Sequence, residues 1–423
     1  MSPQSLLPLF IFGVGSYLLL ELRAFFILHP LRTLGELLAP LRDKAARNSL
    51  ALALAGTLGV GNIFGVAAGI MIGGAGSVFW LFVSSSFAMI IKYAEALLAF
   101  DNLDDKSSGM HAVILRVFGK IGKPLSLIYA ALCLALALLM GAAMQSTAVS
   151  GVAYEALGVS PSLSGAFLAV LVMLGCVGGV GKIEKITAFA IPMTTIIYIS
   201  MGILTIFLSA SRLPAVLCDI FYSAFTGPSI AGGGLAFLSS RALSEGFARG
   251  ILSNEAGLGT SSLAHTRAKE RSPHEAGLFG MCEVFFDTTL LCTLTALVIL
   301  LAVEDTSAYG TPMSLVTAAF SVGLGEWSRI VLLLSILLFA YSTVVCWYYY
   351  CTECASYLFT GKGRVILPLL FFLFVALGGS IDNSFLIYLT DLIIFFMSLL
   401  TLSAILKERR RIKELSLEKF NHL

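Results

Sequence analysis

Apolar runs of about the length that crosses a bilayer recur along the chain, separated by shorter polar stretches. A helix crosses the hydrocarbon core in about 20 residues. The pattern therefore predicts spans near 5–22, 50–74, 78–100, 125–149, 162–180, 186–209, 235–257, 277–301, 329–357, 365–380 and 386–406. That is an all-α polytopic membrane protein with about 11 transmembrane helices. The run at 235–257 is short of apolar residues, and 311–325 reads as a partial helix. Residues 220–234 are Gly-rich and read as a surface or re-entrant element.

Composition agrees with the pattern. The 423 residues are 58% hydrophobic and only 12% charged, against roughly 25% charged in soluble domains. So little charge cannot solvate a soluble surface of this length, and lipid removes the need for it. Forty glycines fit helices whose backbones approach closely. The net charge of +2 comes with no basic stretch interleaved with aromatics, so no nucleic-acid partner is expected. The eight cysteines lie mostly inside apolar runs and read as core fillers. The first run lacks a preceding basic region and a cleavage site, so no signal peptide is expected. No phosphate-binding glycine loop, nucleophilic triad or histidine metal cluster is present in the sequence. An enzyme is not expected, and an ion gradient is the simpler energy source.

The basic residues orient the spans. Of 27 Lys and Arg, 22 fall in 23–49, 101–124, 181–185, 258–276, 358–364 and the C-terminus, all on one side under this span assignment. Only Arg212 and Arg329 fall on the other, and Lys92, Arg241 and Arg249 lie within spans. Basic loops stay in the cytoplasm, so the N-terminus is expected outside and the C-terminus inside. The tail with Lys407, Arg409, Arg410, Arg411 and Lys413 suits a surface of anionic lipid.

With the first span set aside, ten remain. Two blocks of five enter the membrane from opposite sides, which is the arithmetic of a five-plus-five inverted repeat. The expected divisions are 1–49 for the first helix and its connection, 50–210 for the first repeat and 211–234 for an outer connection. The second repeat then occupies 235–406, and 407–423 is a basic tail. Each block opens with a span unsuited to lipid. The first holds Gly56-Thr57-Leu58-Gly59-Val60-Gly61-Asn62, and the second Ser253-Asn254-Glu255-Ala256-Gly257-Leu258-Gly259. Such residues weaken a helix, and unwound backbone at membrane depth is tolerated where it lines a cavity. Its carbonyls can hold a dehydrated cation, and the following half-helix can receive a carboxylate. Gly69, Gly73, Gly74 and Gly76 are expected to serve packing, whereas 56–62 is expected to bind solute because threonine and asparagine join the glycines.

Ser342 and Thr343 offer hydroxyls to sodium, or to their own helix backbone. Thr343 and Trp347 are four apart and share a face, so Trp347 either walls a pocket or simply packs. Lys92 and Glu95, three apart, can pair, and Arg241, Glu245 and Arg249 form a possible ion-pair ladder. Asp287, four residues after Glu283, is expected to be hydrogen-bonded structurally or to serve coupling or gating. Glu353 and Asp391 lie near span ends, where a solvated side chain is the expectation. His265 and His274 fall in a basic loop and are expected to be local structural or surface residues.

Three stretches carry a family resemblance: GTLGVGNIFGVA at 56–67 with GGAGSVFWLFVSSSFAM at 73–89, EGFARGILSNEAGLGTSSLAH at 245–265, and FAYSTVVCWYYY at 339–350. Over roughly 5–406 the chain resembles the bacterial and archaeal alanine or glycine:cation symporters, also called sodium:alanine symporters. The resemblance implies an eleven-helix transporter of the amino acid-polyamine-organocation type with broken helices, in a cytoplasmic membrane. It implies symport of a small neutral amino acid, alanine or glycine, with sodium by alternating access, by a monomer without an organic cofactor. A proton as coupling ion, an exchanger and a passive channel are the alternatives. Sodium would be held by the Ala55 and Leu58 carbonyls with Ser342 and Thr343. Substrate would lie near Thr57, Gly61, Asn62, Thr343 and Trp347, with Asn254 and Gly257 added from the second broken segment. The chain departs from the family pattern at Ser77, Leu81, Phe82, Ala88 and Cys346, and 101–124 lacks the family's Gly-Gly-Pro-Met-Tyr-Tyr stretch.

Overall fold

The computed structural model describes residues 3–22, 28, 33, 35, 54–102, 109–176, 180–226, 240–265 and 272–421. Most of the expected connection at 23–49, the start of the first block at 50–53, most of the Gly-rich stretch and the first residues of the 235–257 run lie outside them. Every regular element among the described residues is a helix.

The helices are α1 (Pro3–Glu21), α2 (Val66–Gly73, entered through a π turn at Gly61–Gly65), α3 (Gly76–Asp101) and α4 (Met110–Val117). Next come α5 (Gly119–Leu157), α6 (Pro161–Cys176), α7 (Val180–Leu208) and α8 (Leu213–Phe225). After these follow α9 (Arg241–Asn254), α10 (Ser262–His265), α11 (Pro273–Ala302) and α12 (Pro312–Leu324). The chain closes with α13 (Trp327–Leu358), α14 (Gly363–Gly378), α15 (Asn383–Lys407) and α16 (Arg409–Asn421).

Among the described residues, six helices are long and apolar enough to cross a membrane by length and composition, and five shorter apolar helices accompany them. This is a multi-helix membrane fold, with fewer full-length apolar helices than the eleven expected. Two shortfalls have visible causes. The run at 50–74 is interrupted before Gly61, and α9 carries Arg241, Glu245 and Arg249. The partial helix expected at 311–325 is α12, started by a Thr311 capping box.

The core of the bundle is α3 packed along α9 and α11. Small residues permit that approach. A Cβ on Gly246 would meet the backbone of Ser77 and Leu81, and one on Gly277 would meet the Tyr93 ring. Large side chains on the outer helices, such as Phe167, Phe207 and Leu369, remain exposed, as lipid-facing positions require. No cysteine is in a disulfide among the described residues; Cys133, Cys282, Cys292, Cys346, Cys351 and Cys354 are buried and Cys218 is exposed.

Candidate functional site

Both predicted interruptions are present. In the first, residues 54–57 are helical, the helix lapses at 58–60, and Gly61 restarts it. The loose strand is held by side chains from two other helices. Gln145 on α5 accepts from the Val60 N–H through Oε1 at 3.1 Å. On α13, Thr343 Oγ1 donates to the Leu58 carbonyl at 3.2 Å. One turn on, the Trp347 indole N–H donates to the Gly56 carbonyl at 3.2 Å. Gly141, in the π segment Ala137–Met144 of α5, admits the Trp347 ring; a Cβ there would lie 2.5 Å from Trp347 Cγ.

These groups enclose a cavity of about 10 Å³, bordered by Thr57, Gly59, Gly61, Gln145 and Thr343 and walled by Met140, Met144 and Leu252. That is room for about one water, so an amino acid enters only when the walls move. The Thr57 hydroxyl is buried with no hydrogen-bond partner among the described residues. A buried hydroxyl without a partner is costly, and this one borders the cavity.

Of the expected substrate residues, Thr57, Gly61 and Thr343 meet at the cavity, and Trp347 adjoins it through Gly56. Asn62 turns away. One residue beyond Gly61 is about 100° round a helix, which points Asn62 at α9 and α11. Its Nδ2 donates to Asp287 Oδ1, and its Oδ1 accepts from Ser253 Oγ at 3.1 Å. Asn254 also lies in that cluster, donating to Thr288 Oγ1 at 3.1 Å. Gly257 takes φ 85°, a conformation that favours glycine, and faces Ile11, Ser398 and Leu402 rather than the cavity. Asn254 and Gly257 thus do not border the cavity. Gln145 does, and was not singled out from sequence; its one signal was an amide inside an apolar run.

Of the expected sodium ligands, Leu58 and Thr343 are in contact, and Ala55 and Ser342 are fully buried nearby in sequence. Ser342 Oγ donates to the carbonyls of Leu338 and Phe339, each at 2.9 Å. This is the backbone-bonded arrangement, and it leaves the hydroxyl lone pairs able to accept a cation. Carbonyl and hydroxyl oxygens form the hard donor set that such a cation prefers.

The second interruption is finished differently. Helix α9 ends at Asn254, and Lys92 Nζ on α3 donates to the Asn254 carbonyl at 2.8 Å. Lys92 also pairs with Glu283 at 3.6 Å. Glu95, one turn along α3, accepts from the Gly259 N–H at 3.1 Å. The expected Lys92–Glu95 pair is thus split, one residue on the carbonyl side of the break and the other on its amide side. Tyr129 OH donates to the Leu258 carbonyl at 2.8 Å. Asp287 lies in a π segment, Phe285–Cys292, and also accepts from Ser253 Oγ at 2.6 Å and Thr288 Oγ1 at 2.9 Å. It thereby ties the two interrupted chains together.

The expected ladder is redirected. Arg249 pairs with Glu245 at 3.1 Å and with Asp391 of α15 at 2.7 Å, while Arg241 is exposed in the first turn of α9. Asp391 is buried, not a solvated residue at a span end. His274 is buried too, bonded to Tyr93 OH at 2.7 Å, while the His265 side chain lies outside the described residues. Among the family departures, Ser77, Leu81, Ala88 and Cys346 are buried and Phe82 is 47% exposed. Cys346 Sγ would lie 3.4 Å from a Cβ on Gly56, so it forms part of the wall behind the first break.

A family model described as the sodium:alanine symporter family matches residues 2–418. The sodium/alanine symporter AgcS of Methanococcus maripaludis is 33% identical over 345 residues, covering 78% of this chain and 74% of AgcS. A transporter of Haemophilus influenzae is 30% identical over 429 residues, covering 97% of this chain and 92% of the relative. Among solved structures, a manganese transporter of Eremococcus coleocola matches with TM-score 0.55 at 17% identity, over 84% of this chain and 76% of that one. The nucleobase-cation-symport-1 transporter MHP1 matches with TM-score 0.51 at 14% identity, over 82% and 74%. At these identities the two structures speak to fold alone.

Proposed function

The chain belongs to the sodium:alanine symporter family, which makes it a secondary, sodium-coupled symporter of a small amino acid and not an enzyme, and we propose that the first break carries both solutes. The observation behind this reading is the partnerless Thr57 hydroxyl at a cavity that Thr343 and Gln145 also border. Sodium sits among the Ala55 and Leu58 carbonyls and the Ser342 and Thr343 hydroxyls. The substrate carboxylate faces the start of the half-helix at Gly61, where the helix dipole favours negative charge. Thr57 and Gln145 orient the rest of the molecule, and Trp347 backs it through Gly56. Met140, Met144 and Leu252 offer an apolar wall to the side chain, which suits the hydrogen of glycine or the methyl of alanine.

Asn62, Asn254 and Asp287 lock the first break to the second without touching substrate. Arg249, bridged to Glu245 and Asp391 and lying against Gly69, is the bolt that opens on the side of the Gly73–Gly76 turn. The helices act as eleven crossings, an outlying α1 and two inverted blocks of five, with the N-terminus outside and the C-terminus cytoplasmic. The transporter works as a monomer. Each ligand favours the closed state that binds the other, and this mutual preference is the coupling.

Uptake of labelled alanine by proteoliposomes, with and without an inward sodium gradient, tests the reading. Accumulation above equilibrium only with sodium is expected, and Thr343→Ala should lower the sodium-dependent part at unchanged membrane abundance. Unaltered sodium dependence in that variant overturns the assignment of Thr343.

A further inference from the structure

We infer that Glu255, in the second break, holds an exchangeable proton that is taken up and released as the transporter cycles. The inference rests on the reading that the first break carries amino acid and sodium.

The second break is crowded with buried charge. Glu95, Glu255, Glu283 and Asp287 are each at most 1% exposed, and the ammonium among them is that of Lys92, also 1% exposed. Lys92, Asp287 and Glu283, in that order, are close enough for their charges to act on Glu255. Among the described residues Glu95, Glu255 and Asp287 alone outnumber that ammonium, and a buried carboxylate is costly in a membrane interior without neutralisation.

Hydrogen bonding identifies the carboxyl suited to carry the proton. Asp287 accepts from Asn62, Ser253 and Thr288, as an ionised carboxylate does. Glu283 faces Lys92. Glu95 accepts a backbone N–H from Gly259. Glu255 accepts only the Thr260 hydroxyl, on Oε2, among the described residues. Its Oε1 is buried and has no partner among the described residues. The other titratable groups facing Glu255 are Tyr129 and Cys133 of α5 and Cys346 and Tyr350 of α13. They are neutral when protonated and do not offset its charge.

Glu255 also communicates with the solute site. The charge of Glu255 reaches Cys346 and Tyr350, and both lie against Gly56 of the first break, where Tyr350 OH would be 2.8 Å from a Cβ. Movement of the backbone at 254–260 changes which donors reach Glu255, and with them its hold on the proton. The step is a protonation equilibrium of one carboxyl with water, and it needs no other reactant.

Proteoliposomes enclosing a pH-sensitive dye, with the membrane voltage clamped, test the inference. Wild-type protein, given alanine and an inward sodium gradient, is expected to change the internal pH as alanine enters. Glu255→Gln is expected to lose that pH change while binding labelled alanine in sodium within about threefold of wild type. Wild-type accumulation of alanine with no pH change overturns the inference, whether or not the variant folds. So does a pH change that persists in Glu255→Gln. No sodium-driven accumulation in wild type would instead overturn the reading of the first break.

Discussion

The two interrupted chains start from similar sequences, rich in glycine with an asparagine in each, and the protein completes them in opposite ways. At 254–260 it supplies the partners itself: Lys92 for the last carbonyl of α9, Glu95 for an amide, Tyr129 for the Leu258 carbonyl. At 56–61 it supplies Gln145, Thr343 and Trp347, yet leaves the Thr57 hydroxyl without a partner beside a cavity. An unwound backbone in an apolar interior needs polar company. We propose that the second break, filled with the protein's own charges even with Glu255 Oε1 left over, is a joint, and that solutes complete the first, where the unpartnered hydroxyl borders a cavity.

Substitutions can break this contrast, and Lys92→Met should act most strongly. It leaves Glu283 and the Asn254 carbonyl buried without their ammonium, at about 3–5 kcal/mol. Membrane abundance and thermal stability in detergent should collapse, and added sodium and alanine should not restore them. Restoration by ligand would mean that the second break is itself a solute site.

Gln145→Ala comes next. It removes the acceptor of the Val60 N–H, worth about 1–3 kcal/mol, and should weaken alanine binding by about 5- to 100-fold with abundance little changed. Isotherms of labelled alanine on purified protein measure it. Gly257→Ala should do the converse. Its φ of 85° strains any side chain by about 1–2 kcal/mol, lowering the melting temperature while the alanine affinity of the folded fraction holds.

Thr57→Val sharpens the contrast with the smallest change. Its hydroxyl bonds to nothing among the described residues, so removal should leave stability unchanged or slightly raised. Alanine affinity should fall about 2- to 10-fold, the worth of one hydrogen bond at about 0.5–1.5 kcal/mol. Equal losses of stability and affinity would show the hydroxyl to be structural.

The breaks themselves were legible in sequence because Gly, Thr and Asn within an apolar run contradict a lipid-facing helix. The shared face of Thr343 and Trp347 was legible from helical spacing, and both now bond to the same loose strand. What each break meets was not legible. Lys92 reaches Asn254 across 162 positions, and Arg249 reaches Asp391 across 142, so local spacing offered Glu95 to Lys92 and only Glu245 to Arg249. Gln145 looked like one polar residue in an apolar helix until packing set it against Val60. Gly257 carried the same compositional signal as Gly61, yet the left-handed turn aims it at α1 and α15.

A density map of the protein in lipid nanodiscs, saturated with sodium and L-alanine, tests the contrast between the breaks most directly. The account predicts density for alanine between Thr57, Gln145 and Thr343, and for an ion beside the Leu58 carbonyl. Density for alanine between Asn254 and Gly259, with the first break unchanged, would contradict it.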